Sequence, residues 1–104
     1  MKELEITQQA SPSGVVLRVV GSVDSTTAPE LQTAVLRATE APTGSVELNL
    51  AEVSFLSSAG LRVLMMGSKV LQKRGERLTL SNVPPHIHNI LNLTGFTSFI
   101  DIKT

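Results

Sequence analysis

The residues best placed to do chemistry are two adjacent hydroxyls, Ser57 and Ser58, within the run Val53-Ser54-Phe55-Leu56-Ser57-Ser58-Ala59-Gly60-Leu61-Arg62-Val63-Leu64. A strand-like apolar stretch passes there directly into a helical stripe, and the joint consists of small residues. One reading of the pair is structural. Serine is a preferred N-cap because its oxygen accepts an otherwise orphaned backbone N–H, so either hydroxyl can simply start a helix. The other reading is chemical: a helix N-terminus with small neighbours favours an anion, so a phosphoryl group on one of these oxygens fits without unfolding the domain.

No other combination of residues makes a catalytic centre. The chain has no cysteine, hence no thiolate nucleophile, thiolate metal site or disulfide. His86 and His88 stand two apart, which turns them in different directions on a helix, so neither a metal site nor a metal cofactor is expected. No acid/base pair accompanies the serines, and Gly14 and Gly21 do not form a phosphate-cradling loop of the Walker or dinucleotide type. A modified serine would therefore be a substrate, and the protein is expected not to be an enzyme and to need no cofactor. Nine Lys+Arg balance nine Asp+Glu, giving a formal net charge of +0, which argues against an electrostatic grip on nucleic acid or anionic lipid. Three phenylalanines are the only aromatics, too few for a base-stacking platform. Asp24, taken by itself, is a turn residue or a cap.

The elements that must hold the serine joint follow from periodicity. At 104 residues the chain is expected to be one domain, spanning 1–104. Leu4-Glu5-Ile6-Thr7 alternates, Ser11-Pro12-Ser13-Gly14 reads as a turn, and Val15 to Val20 is rich in β-branched residues, so the chain opens on a hairpin. Leu31, Ala34, Val35 and Ala38 have helical spacing, and Thr27-Ala28-Pro29-Glu30 fits a capping box, predicting a helix from about Ala28 to about Thr39 that Pro42 and Gly44 stop. Val46 to Leu50 alternates as a strand. Leu61, Leu64, Met65, Ser68 and Leu71 form a second stripe, widened by Val63, Met66 and Val70 and closed by Gly75. Arg77 to Leu80 is a short strand, Pro84-Pro85 opens a third helix carrying Ile87, Ile90 and Leu91, and Phe99 to Ile102 adds a last strand. The order ββαβαβαβ predicts an α/β fold with a mixed four- to five-stranded sheet, an opening hairpin and about three helices. Met1 to Thr7 lacks the apolar run of a secretory signal, and no later stretch approaches the roughly 20 apolar residues of a membrane span, so a cytoplasmic protein without membrane insertion is expected.

The serine segment resembles the signature of the STAS-domain family, in particular the bacterial anti-sigma-factor antagonists (anti-anti-sigma factors). Members carry an apolar strand and then Asp-Ser-Ser/Thr-Gly-Leu at the start of the second helix. Here Ser54-Phe55-Leu56 matches the apolar lead, Ser58 falls on the phosphorylated serine, and Gly60-Leu61 matches the Gly-Leu pair. Gly21-Ser22-Val23-Asp24 is similar to the family's Gly-x-x-Asp turn, Thr27-Ala28 to the start of its first helix, and Val46 to Val53 to its third strand and following turn. Two positions depart from the pattern. Ser57 stands where the commoner signature has Asp, and Ala59 where it has Ser or Thr, which removes a negative charge and leaves Ser57 as the alternative phosphoacceptor. The chain ends at Thr104, where many members continue, so the family's C-terminal helix is expected to be missing or vestigial.

The resemblance implies a STAS-like domain working by partner switching. The unmodified protein would bind a serine-kinase anti-sigma factor or related kinase and release its sigma factor, phosphorylation at Ser58 would end the complex, and a PP2C-type phosphatase would reset it. The implied docking residues are Ser22, Asp24, Ser25, Thr26, Thr27, Ser57, Ser58, Ala59, Gly60 and Arg62, because loops that follow Val20 and Leu56 leave a sheet of this kind at the same end. Two alternatives stay open: a STAS accessory subunit of another assembly, such as a lipid-transport ATPase or a stress-signalling complex, and a phosphocarrier, which would usually use His.

Overall fold

Residues 3–40 and 44–103 are described by the structure, a computed structural model. Strand β1 (Leu4–Ser11) turns back through Pro12 and Ser13 to pair antiparallel with β2 (Gly14–Val23). Strands β3 (Ser45–Leu56), β4 (Thr79–Ser81) and β5 (Asp101–Lys103) add in turn, each parallel to the one before, giving a five-stranded sheet in the order β1-β2-β3-β4-β5. Helices α1 (Ala28–Ala38), α2 (Ser58–Gln72) and α3 (Pro85–Leu93) make the three crossovers. Every crossover steps one strand in the same direction, so a uniform right-handed connection puts all three helices on one face. The predicted α/β architecture is the one observed.

That face is the core. Leu17 and Val19 of β2, Leu48 and Leu50 of β3 and Leu80 of β4 are buried against Leu31 and Val35 of α1, Leu64 and Leu71 of α2, and Ile87 and Leu91 of α3. The opposite face is polar and charged, with an ion pair Arg18–Glu52 between the neighbouring strands β2 and β3 and another, Lys103–Glu47, that reaches from β5 over β4 to β3.

Several boundaries differ from the sequence reading. The third strand does not end in a turn near Val53. It runs on to Leu56, and its pairing with β2 slips twice: Arg18 faces Asn49 but Val20 faces Glu52, and Gly21 faces Val53 but Ser22 faces Phe55. Each slip fits one extra residue into β3, a bulge that sharpens the local twist and re-aims the strand end. The last strand is Asp101–Lys103, because Phe96–Ser98 form a 3-10 turn that tucks Phe96 into the core. Gly75 closes the second helix as predicted, in a left-handed conformation at φ +77°, and Glu76 N donates to Leu71 O at 2.9 Å. The first helix ends at Ala38, with Thr39 as its C-cap; Pro42, predicted to stop it, lies outside the described residues.

Candidate functional site

The ends of β2 and β3 lie side by side, since Val23 pairs with Leu56 and Ser57 N donates to Val23 O at 2.8 Å. The segments that follow therefore leave the sheet at the same end. This bond holds Ser57 extended (φ −84°, ψ 175°), and from there its Oγ accepts the amide of Gly60 at 3.3 Å while its carbonyl accepts that of Leu61 at 3.0 Å. Ser57 is the N-cap of α2. Ser58 is the first helical residue, is exposed, and its hydroxyl makes no hydrogen bond among the described residues. The two readings of the serine pair thus separate: the cap falls on one residue and the accessible hydroxyl on the next.

Gly60 lets the first turn of α2 sit down on the strand ends. A Cβ at this buried position would lie 2.5 Å from Leu56 Cδ1 and 2.8 Å from Val23 Cγ1, closer than side chains tolerate. The helix start is thereby locked to the same two strand termini that Ser57 bridges.

The loop between β2 and α1 is tied by its own side chains. Asp24 Oδ1 accepts from the amides of Thr26 at 2.9 Å and Thr27 at 3.0 Å, and Ala28 N donates to Asp24 O at 2.8 Å. Asp24 therefore does the capping that the sequence assigned to Thr27, whose own backbone is already helical (φ −97°, ψ −19°) and whose side chain does not cap. Thr27 Oγ1 instead donates to Ser22 O at 2.8 Å and accepts from Asp24 N at 2.9 Å, pinning the loop to the strand end. The amide of Thr27, followed by that of Thr26, holds the Asp24 carboxyl below its ordinary value against an opposing effect of burial, because hydrogen-bond donors favour the charged form.

Of the predicted docking residues, Ser25, Thr26, Ser58 and Arg62 are exposed, and Ser22, Asp24, Ser57 and Ala59 are half-buried. Thr27 and Gly60 are corrected: Thr27 is 8% exposed and Gly60 is buried, so they support the surface from beneath instead of forming it. A groove of about 330 Å³ runs between the helix starts, lined by Ser25, Pro29 and Gln32 on one side and by Ala59, Arg62 and Val63 on the other. The sequence reading missed Pro29 and Gln32, although both fall off the apolar stripe of α1 and so were identifiable as outward-facing. It also missed Phe55, which is 50% exposed on the sheet face opposite the helices and pairs with Ser22.

The two histidines lie on α3, whose first turn reaches back to β3. His86 places Nε2 3.1 Å from Ser54 O, and His88 is half-buried in α3. Among the described residues there is no cluster of three or more His, Cys, Asp or Glu able to hold a metal ion, and no helix long and apolar enough to cross a membrane. Met65 and Met66 pack against the core.

The family model described as "Mlab, STAS domain" matches residues 6–101. An anti-sigma-B factor antagonist of Listeria monocytogenes is 33% identical over 86 residues, covering 82% of this chain and 75% of the relative. The crystal structure of an anti-sigma factor antagonist from Mycobacterium paratuberculosis superposes with a TM-score of 0.87 at 23% identity, covering 96% of this chain and 85% of that one. The Bacillus cell fate determinant SpoIIAA in its phosphorylated form does so with a TM-score of 0.74 at 18% identity, covering 96% and 92%. At these identities the two structural likenesses bear on the fold.

Proposed function

The chain belongs to the STAS-domain family, among the anti-sigma factor antagonists, and on that footing we propose that it is a partner switch governed by the hydroxyl of Ser58. In the unmodified state the surface around Ser25, Thr26, Ser58 and the groove between α1 and α2 docks a serine-kinase anti-sigma factor, whose sigma factor is thereby set free. The kinase then modifies its own ligand. Ser58 Oγ attacks the terminal phosphorus of a nucleoside triphosphate, an O–P bond forms, the bond to the bridging oxygen breaks, the diphosphate leaves and the hydroxyl proton passes to a base of the kinase. A PP2C-type phosphatase hydrolyses the ester and restores the docking form.

The observation that carries this reading is the separation of roles at the joint. Because Ser57 Oγ already caps the helix, Ser58 Oγ is available to an enzyme without loss of structure. A phosphate there adds about −1.5 to −2 charges at a helix start, where the fold accepts an anion, but a desolvated contact does not. A penalty of about 3–4 kcal/mol, at 1.4 kcal/mol per decade, weakens a complex by several hundredfold.

Peptide mapping after incubation with the cognate kinase, combined with calorimetry on Ser58→Asp and Ser58→Ala, tests the proposal. The label is expected on Ser58, with the Asp variant folded and weakly binding and the Ala variant binding constitutively. Label mainly on Ser57, or equal affinities of the two variants, would overturn it, and capture of a transporter assembly in place of a kinase would favour the accessory-subunit alternative.

A further inference from the structure

The cation nearest to Ser58 along α2 is Arg62. Helix α2 is continuous from Ser58 to Gln72, so the two residues are four positions apart on one face, with Cβ atoms about 5–6 Å from each other. Side chains on a helix lean toward its N-terminus, which carries the long Arg62 back over the turn that holds Ser58. Both side chains are exposed. Arg18, Arg74 and Arg77 are already committed to Glu52, Glu76 and Asp101. Arg62 makes no ion pair or hydrogen bond among the described residues, and α2 has no acidic residue in its first turn to compete for it. Across the groove, the acidic residue in the first turn of α1, Glu30, lines the other flank of that helix together with Arg37. The carboxylate of Asp24 is held by loop amides.

We propose that Arg62 is the intramolecular counter-ion of a phosphate on Ser58, so that modification withdraws the cation from the docking groove while it adds the dianion. The inference rests on Ser58 being the modified residue. An acidic group four residues before a basic one is the favourable order of such a pair on a helix. The guanidinium supplies the planar fork that engages two phosphate oxygens together, which a lysine ammonium does not. Arg62 lines the groove in the unmodified protein, where a partner reaches it. Turned toward position 58 for part of the time, it is offered less often. The switch then has two parts, an added charge and a sequestered one, and neither needs movement of the backbone.

The test uses the full chain with phosphoserine encoded at position 58 during translation, and follows the phosphate by phosphorus NMR as pH is varied. A neighbouring cation favours the dianion, so the second phosphate pKa is expected to lie lower in the parent protein than in Arg62→Gln, by about 0.2–0.4 unit for an exposed i,i+4 pair. Arg62→Lys should restore part of the difference. Lys69→Gln, a change of the same charge about 16 Å along the helix from position 58, should leave the titration where it was. Identical titrations of the parent and Arg62→Gln proteins, or an equal shift in Lys69→Gln, would overturn the assignment. Because the phosphate is encoded and not added by an enzyme, that result concerns Arg62 alone, and peptide mapping with the kinase decides separately whether Ser58 is the site in use.

Discussion

Ser57 and Ser58 have the same chemistry and differ in backbone. The hydrogen bond from Ser57 N to Val23 O fixes an extended conformation at Ser57 from which its oxygen reaches the amide of Gly60, whereas Ser58 is already helical and points out. Ser57→Ala is therefore expected to lower stability by about 1 kcal/mol, the usual value of an N-cap, and the melting temperature by about 4–8 °C. Ser58→Ala should stay within about 0.5 kcal/mol of the parent, as exposed substitutions generally do. Denaturant titrations of the two variants check this, and equal losses would contradict the division of roles. Gly60→Ala acts at the same joint by a different route. Its methyl would press on the side chains of Leu56 and Val23 at 2.5 and 2.8 Å, so either these side chains repack or the first turn of α2 lifts, at about 1–3 kcal/mol.

The loop between β2 and α1 shows what an element adds to its residues. Asp24 is charged in the folded loop because amides of Thr27 and Thr26 point at it, and its carboxyl lies below the ordinary value that it would have in the unfolded chain. Its contribution to stability is accordingly present above that ordinary value and is lost as pH falls through the lowered one. Asp24→Asn keeps an oxygen acceptor but cannot titrate. Denaturation midpoints should lie lower in this variant than in the parent near neutrality, and the two should converge as the parent falls more steeply through the acid range. Parallel pH profiles would show that the loop amides do not favour the anion.

The same loop shows where sequence reasoning reaches its limit. The helices were legible because the stripes at Leu31, Val35 and Ala38 and at Leu64, Ser68 and Leu71 repeat at the helical period and are the positions found buried. The cap of α1 was not, since Asp24 and Thr27 are both good capping types. The path of the loop decides between them, as it brings Thr27 Oγ1 back to Ser22 O at the strand end. The bulges in β3 were hidden for a related reason. They break the alternation that would have revealed the strand between Leu50 and Leu56, and the partner that defines them is β2. At the site, the resemblance singled out Ser58, but the local sequence could not separate it from Ser57, because the bond to Val23 that separates them spans 34 residues of chain.

At the scale of the whole molecule, a sheet covered by helices on one face collects the carboxyl ends of β2 and β3 at one end and keeps the core behind them. Stability and docking therefore respond to different substitutions. Leu64→Ala empties a buried position of α2 and should cost about 2–5 kcal/mol, while the protein that remains folded binds its partner normally. Ser25→Arg fills the groove between α1 and α2 from its exposed rim and should weaken binding with an unchanged melting temperature. The surface from residue 22 to 32 and from 57 to 63 can supply the roughly 800 Å² per partner of a specific, reversible complex. Hydrogen exchange on the proposed kinase complex should then show new protection over those two segments, with the later turns of α3 unchanged from the free protein. The first turn of α3 reaches β3 through His86 and Ser54 O, but β3 separates the helix from β2, so its later turns serve as the control. Protection over residues 86–92 that spared both loops would mean that the partner reads a different part of the molecule and that Ser58 does not stand in its path.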